Sequence, residues 1–126
     1  QLRRHTANLL TKEYTMSGNL SLLGKPIEFV ASAGFNAKYG GIEAIAYIQM
    51  SRAILEKYPH DMLVFSMCDA NHLQVKLAGY HLKTDVLDET TVVFKTASLP
   101  TDTFWLKIDG TEEGGYVGTF LFPEDY

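Results

Sequence analysis

The stretch from Ile42 to Lys57 constrains this chain more than any other. Its pattern predicts a helix, and the first half carries Ile42, Ala44, Ile45, Ala46, Tyr47, Ile48 and Met50 around the whole axis. A helix that is apolar on nearly every side is expected to be buried on nearly every side. Only the end bearing Arg52, Glu56 and Lys57 reads as wet, and its cations suit the negative end of the helix dipole. Pro59 marks the stop. Whatever this chain folds into must supply walls for one helix.

The walls have to be strands. Strand-like runs cover 17–23 and 27–32 before the helix, separated by a turn at Gly24-Lys25-Pro26. After it come 62–68, 72–82, 91–98, 103–109 and 115–122. Leu73, Val75 and Leu77 alternate with Gln74 and Lys76, and Phe104, Leu106 and Ile108 alternate with polar neighbours. A period of two marks strands with one buried face. Residues 33–41 read as a Gly-rich loop in which Asn36 caps a turn and Gly40-Gly41 let the backbone bend. The order is therefore strand, strand, helix, then five strands. No later helix is available to cover a parallel sheet, and short connections favour antiparallel neighbours. The fold class expected is α+β, a curved antiparallel sheet wrapped around one long central helix. Residues 17–126 form that single domain, and 1–16 form a weakly helical lead-in segment with Leu2, Leu9 and Leu10.

Composition narrows the function. A chain of 126 residues, 46% hydrophobic and 21% charged, is sized and composed for one globular core. The net charge is -4 and the only adjacent cations are Arg3 and Arg4, so no phosphate-tracking surface is expected and nucleic acid is set aside as a partner. No apolar run reaches the roughly 18 residues of a membrane span, and no signal-peptide pattern opens the chain. The lone Cys68 fits a reducing, cytoplasmic setting; it reads as a buried hydrophobe at the end of an apolar strand. Four histidines and one cysteine show no ligand-like spacing, so no structural zinc site is expected, and no metal or redox cofactor is implied.

GNLSLLGKPIEFVASAGFNA (residues 18–37) followed by IEAIAYIQMSRA (residues 42–53) resembles the hot-dog acyl-CoA thioesterases of the FcoT-like type. Residues 80–96 and 104–122 are similar in pattern to the strand–turn–strand and last hairpin of hot-dog thioesterases and dehydratases more broadly. The resemblance spans about 17–122. It implies a hot-dog fold and hydrolysis of a fatty-acyl or polyketide thioester carried on CoA or on an acyl carrier protein. It also implies a homodimer or higher homo-oligomer in which the acyl site forms between chains. Two departures matter. Gly34 stands where the related loop carries histidine, and Lys38 to Gly41 look like an insertion before the helix.

The resemblance makes Glu43 and Asn36 the catalytic candidates. Glu43, in the first turn of the helix, would activate water, and the Asn36 amide would hold that water or the thioester carbonyl. Each has a plainer reading, dipole compensation for Glu43 and loop capping for Asn36. The substrate-binding set implied is Gly34, Tyr39, Tyr47 and Gln49. Gln49 reads equally as a solvent-facing residue, and the tyrosines as packed rings with satisfied hydroxyls. An acyl dehydratase or isomerase would need His72 or His81 to replace the missing loop histidine. Their spacing of nine places them on opposite faces of an unbroken strand, and each reads as a surface or packed histidine. A non-catalytic acyl-binding or assembly protein is the alternative of another class.

Overall fold

The computed structural model describes the backbone at 14–15 and all of 20–126 except Ser98. The lead-in segment therefore lies, apart from Tyr14 and Thr15, outside the described residues, as does the start of the first expected strand. In chain order the elements are β1 (Tyr14–Thr15), β2 (Leu20–Leu22), β3 (Lys25–Ala31), α1 (Ala33–Tyr39), α2 (Ile42–Lys57), β4 (His60–Asp69), β5 (His72–His81), β6 (Thr90–Lys95), β7 (Phe104–Gly110) and β8 (Tyr116–Leu121). A short 3-10 turn, Pro123–Asp125, follows.

The strands form one strongly curled sheet, an α+β half-barrel, in the order β1-β3-β8-β7-β4-β5-β6, with β2 also paired to β3. Among the described residues all strand pairs are antiparallel but one. β3 and β8 run parallel, from Ile27 opposite Tyr116 to Ala31 opposite Phe120. This corrects the expectation of a wholly antiparallel sheet. The strand before the helices and the last strand meet without a direct connection, so no short turn dictates their direction.

The alternation read from the sequence sets the concave face. Leu63 and Phe65 of β4, Leu73, Val75 and Leu77 of β5, and Phe104, Leu106 and Ile108 of β7 are all buried. Aromatic rings fill the space beneath the helices. Phe65 stacks on its cross-strand partner Phe104 at 4.7 Å, Phe35 lies 5.1 Å from Phe120, and Tyr47 meets Phe104 edge-on at 4.9 Å. Such pairs add to the burial of their area because ring edges and faces carry opposite partial charge.

α2 has the expected bounds but not the expected surroundings. Ala44, Tyr47, Ile48, Ser51, Ile54 and Leu55 form one buried face at helical spacing. Ile42 is 85% exposed and Ile45 52% exposed. The helix thus lies against the sheet along one face and is not enclosed all round. The sheet curls past it on one side only, and Ile42, Ile45 and Gln49 share the outer ridge. Its polar end is docked as well as wet. Arg52 donates to the Ser21 carbonyl, and Glu56 Oε2 accepts from the Leu23 amide at 3.1 Å, tying α2 to the β2–β3 turn.

Residues 33–39, read as loop, are helical. Ser32 caps α1 by accepting the Phe35 amide at 3.2 Å, and Phe35 and Tyr39, one turn apart, are both buried. Asn36 is therefore a helical residue, its backbone N–H donating to the Ser32 carbonyl, not the cap of a loop. Cys68 is exposed near the β4–β5 turn, contrary to its reading as a core residue. Leu63 and Phe65 are the buried positions of β4, so the same alternation puts Cys68 on the outer face.

Candidate functional site

The residues singled out from the sequence distribute unevenly around the start of α2. Tyr39 ends α1 and Tyr47 lies one turn beyond Glu43 in α2; their rings meet at 5.9 Å, nearly perpendicular. Tyr47 is fully buried. Its hydroxyl is pushed well above the usual tyrosine range, first by burial and then by Tyr39 and Glu43. Tyr39, Tyr47 and Glu43 thus lie in one electrostatic neighbourhood. Glu43 itself is exposed, in the first turn of α2.

Tyr39 has a definite structural task. Its hydroxyl oxygen accepts the Thr101 amide at 3.1 Å and the Asp102 amide at 3.3 Å. It lies 3.3 Å from Thr101 Oγ1 as well. One turn of chain preceding β7 is therefore hung on a buried phenol. Lys38 forms an ion pair with Asp102 in the same place, and that carboxylate raises the Lys38 pKa.

The remaining candidates part from this group. Asn36 is half-buried on α1, with Oδ1 beside Gly40. Gln49 is exposed on the outer ridge of α2. Gly34 faces the 3-10 turn. A Cβ there would stand 3.1 Å from Asp125 Oδ2, which already accepts from Ser32 Oγ at 2.7 Å. A side chain at position 34 would be tight against the Asp125 carboxylate, which would have to give way by a few tenths of an ångström.

A second cluster lies at the opposite end of α2, where no local pattern announces it. His60 opens β4 just after the helix exit and is 4% exposed. Its Nε2 lies 2.5 Å from Asp88 Oδ1, and its ring meets His81 edge-on at 5.5 Å. Asp88 is 28 residues away in the β5–β6 connection, so no local spacing marks the pair. A bulge creates the juxtaposition: His60 pairs with His81, but Met62 pairs with Ala78. Gly79 sits in the bulge at φ +77°, and a Cβ on it would stand 2.0 Å from Asp61 Oδ1. That oxygen accepts the Tyr80 amide at 3.0 Å, while Oδ2 pairs with the buried Lys107 ammonium at 2.7 Å. His81 is therefore half-buried at the His60 corner. His72, at the other end of β5, is bound at 2.7 Å to Asp69 in the exposed β4–β5 turn.

Among the described residues, no group of three or more His, Cys, Asp or Glu side chains is placed to hold a metal ion. No helix among them is long and apolar enough to cross a membrane. No known protein family, curated protein or solved structure matches this chain.

Proposed function

We propose that this domain is a hot-dog-like acyl thioesterase whose site is the open side of the α2 N-terminus. The observation that carries the reading is the position of Glu43. It is a solvent-accessible carboxylate beside the buried Tyr39–Tyr47 pair, flanked in the chain by the exposed Ile42 and followed by the exposed Ile45. An acyl chain would lie on the apolar ridge, and its CoA or carrier-protein end would stay in water. Glu43 would take a proton from water as the oxygen attacks the thioester carbonyl, and the Asn36 amide would donate to the developing oxyanion. Collapse of the intermediate would release the thiol, protonated by Glu43, and the free acid. A second copy of the chain would cover the Ile42–Ile45 ridge and complete the site as a homodimer. The curled sheet with α2 packed on it along one face supports the hot-dog assignment; the parallel β3–β8 pair departs from the antiparallel sheet expected of it.

One observation favours a non-catalytic, acyl-binding role. Gly34 stands where the resembling loop carries histidine, and the Asp125 carboxylate lies close to where a side chain there would start. The dehydratase reading has no comparable support. His81 lies beyond the far end of a 16-residue helix, about 24 Å long at 1.5 Å per residue, from Glu43.

The test is thiol release from acyl-CoAs of short to long chain by the purified protein, with Glu43→Gln and Asn36→Ala alongside. Turnover that collapses in both variants establishes the thioesterase and the two roles. A folded protein that hydrolyses no chain length refutes the CoA thioesterase; saturable binding of the same acyl-CoAs would then favour the acyl-binding role.

A further inference from the structure

The two ends of the sheet differ. One is β1, only two residues long. The other is β6, which among the described residues pairs with β5 alone. The β5–β6 ladder runs without a slip from Thr90 opposite Leu77 to Lys95 opposite His72, and the bridge of Leu87 to Tyr80 keeps the same register. The chain from Leu87 to Lys95 therefore presents one straight outer edge. β6 carries no proline, no bulge and no inward charge, the usual guards against strand addition. Its inward positions, Thr90, Val92 and Phe94, lie opposite the buried Leu77, Val75 and Leu73. On the outer face Val93 is 52% exposed. The strand is thus apolar on both faces, and its charges stand at its ends. Glu89 directly precedes it, exposed and paired with Lys76 at 3.2 Å. Lys95 ends it, exposed and with no acidic partner among the described residues.

These end charges fit a second copy of the same strand. A two-fold axis normal to the sheet sets two β6 strands antiparallel and keeps each face continuous, so the axis must pass through one residue. With Val92 at the centre, Val92 faces its own mate, Thr91 faces Val93 and Thr90 faces Phe94. Glu89 of each copy then faces Lys95 of the other, once at each end of the seam. Moving the centre by one residue sets Glu89 opposite Val93 or Ala97 and loses both charge pairs. Opposite charges and apolar or β-branched residues directly across a strand pair are the contacts that stabilise a sheet. We propose that β6 is the seam of a symmetric dimer, in which the sheet runs from one copy into a second across antiparallel β6 strands centred on Val92. The occupant of the edge is this chain itself, because the same segment supplies both halves of each charge pair. This inference does not rest on the thioesterase reading.

Cross-linking reads the register directly and is blind to association through the α2 ridge. Residues opposed across an antiparallel pair stand about 4.5–5.5 Å apart at Cα, within the span of a disulfide. In a Cys68→Ser background, which removes the one native thiol, Val92→Cys should give a covalent dimer under mild oxidation. Val93→Cys, offset from its own mate by two residues, should not. Sedimentation of the full chain tests the charges. Glu89→Lys or Lys95→Glu alone sets like charges together at both ends and should weaken the dimer about fivefold. The double exchange, Glu89→Lys with Lys95→Glu, should restore it, which loss of fold in a single variant cannot mimic. Circular dichroism checks the fold of each protein. A folded Val92→Cys protein that stays monomeric, cross-linking as ready at Val93 as at Val92, or a double exchange no tighter than the single variants would overturn the proposal.

Discussion

Ser32 Oγ donates to the Asp125 carboxylate at 2.7 Å, joining the cap of α1 to the 3-10 turn across 93 residues of chain. The same hydroxyl accepts the Phe35 amide, and the same carboxylate oxygen accepts the Phe122 amide. One short chain of bonds thus closes both the helix start and the turn. Ser32→Ala should lower stability by about 1 kcal/mol, the usual cost of losing a cap. Asp125→Ala should cost about 1–2 kcal/mol through its two lost bonds. Urea denaturation of both variants and the double mutant reads these, and the double should cost less than the sum because the two share one contact.

The crowding at Gly34 makes a sharper case. Gly34→His restores the side chain of the resembling loop but drives it into Asp125. It should destabilise the chain, and Asp125→Ala should relieve part of that loss. Thermal unfolding of the two singles and the double shows the coupling; independent effects would mean that Asp125 is not the obstacle.

The aromatic centre is the most expensive place to disturb. Phe104 is fully buried and contacts Phe35, Tyr47 and Phe65 by ring. Phe104→Ala should cost about 3–5 kcal/mol, the range for large cavities in a packed core. Ile45→Ala, on the open ridge, should change stability by about 0.5 kcal/mol or less. If Ile45 is instead covered by a second copy, the Ile45→Glu protein should sediment as a smaller species with its fold intact.

Tyr39→Phe removes only an oxygen, but that oxygen accepts two backbone amides. The change should cost about 1–3 kcal/mol, since it leaves part-buried donors without a partner. Exchange of the Thr101 and Asp102 amides should rise with it.

The β4–β5 turn gives a pH signature. Asp69 accepts the Asn71 amide and a bond from His72, and these hold its carboxyl below the ordinary value of 3.8. A depressed carboxyl contributes above its unfolded pKa and loses that contribution as pH falls through the folded value. Carbon-detected titration should place Asp69 below 3.8, and His72→Ala should move it upward.

Most strands were legible because Leu73–Leu77 and Phe104–Ile108 alternate, and one face of each is buried. The helix 42–57 was legible by spacing and by Pro59. Its surroundings were not, because Ile42 and Ile45 are as apolar as Tyr47 and Ile48, and composition does not say which side the sheet covers. α1 was hidden by Gly34 and Gly40, which break the helical pattern; only Ser32 with Phe35 and Tyr39 marked it. Of the site candidates, Tyr39 and Tyr47 meet ring to ring and Glu43 lies within electrostatic reach of Tyr47, since they sit where two adjacent helices join. His60 with Asp88 and His81 could not be found by spacing, because a bulge and a long connection bring them together.

The parallel contact of β3 with β8 bears on how the chain reaches its native state. β4, β5 and β6 form a meander of neighbours and can pair early. Ile27 cannot meet Tyr116 until nearly the whole intervening chain is ordered. Loop-closure entropy is spent before that contact gives anything back, so the half-barrel should close late and slowly. Until it closes, the edges of β3 and β8 stand open to other chains, and this seam is where crowding during refolding would first produce mispaired molecules.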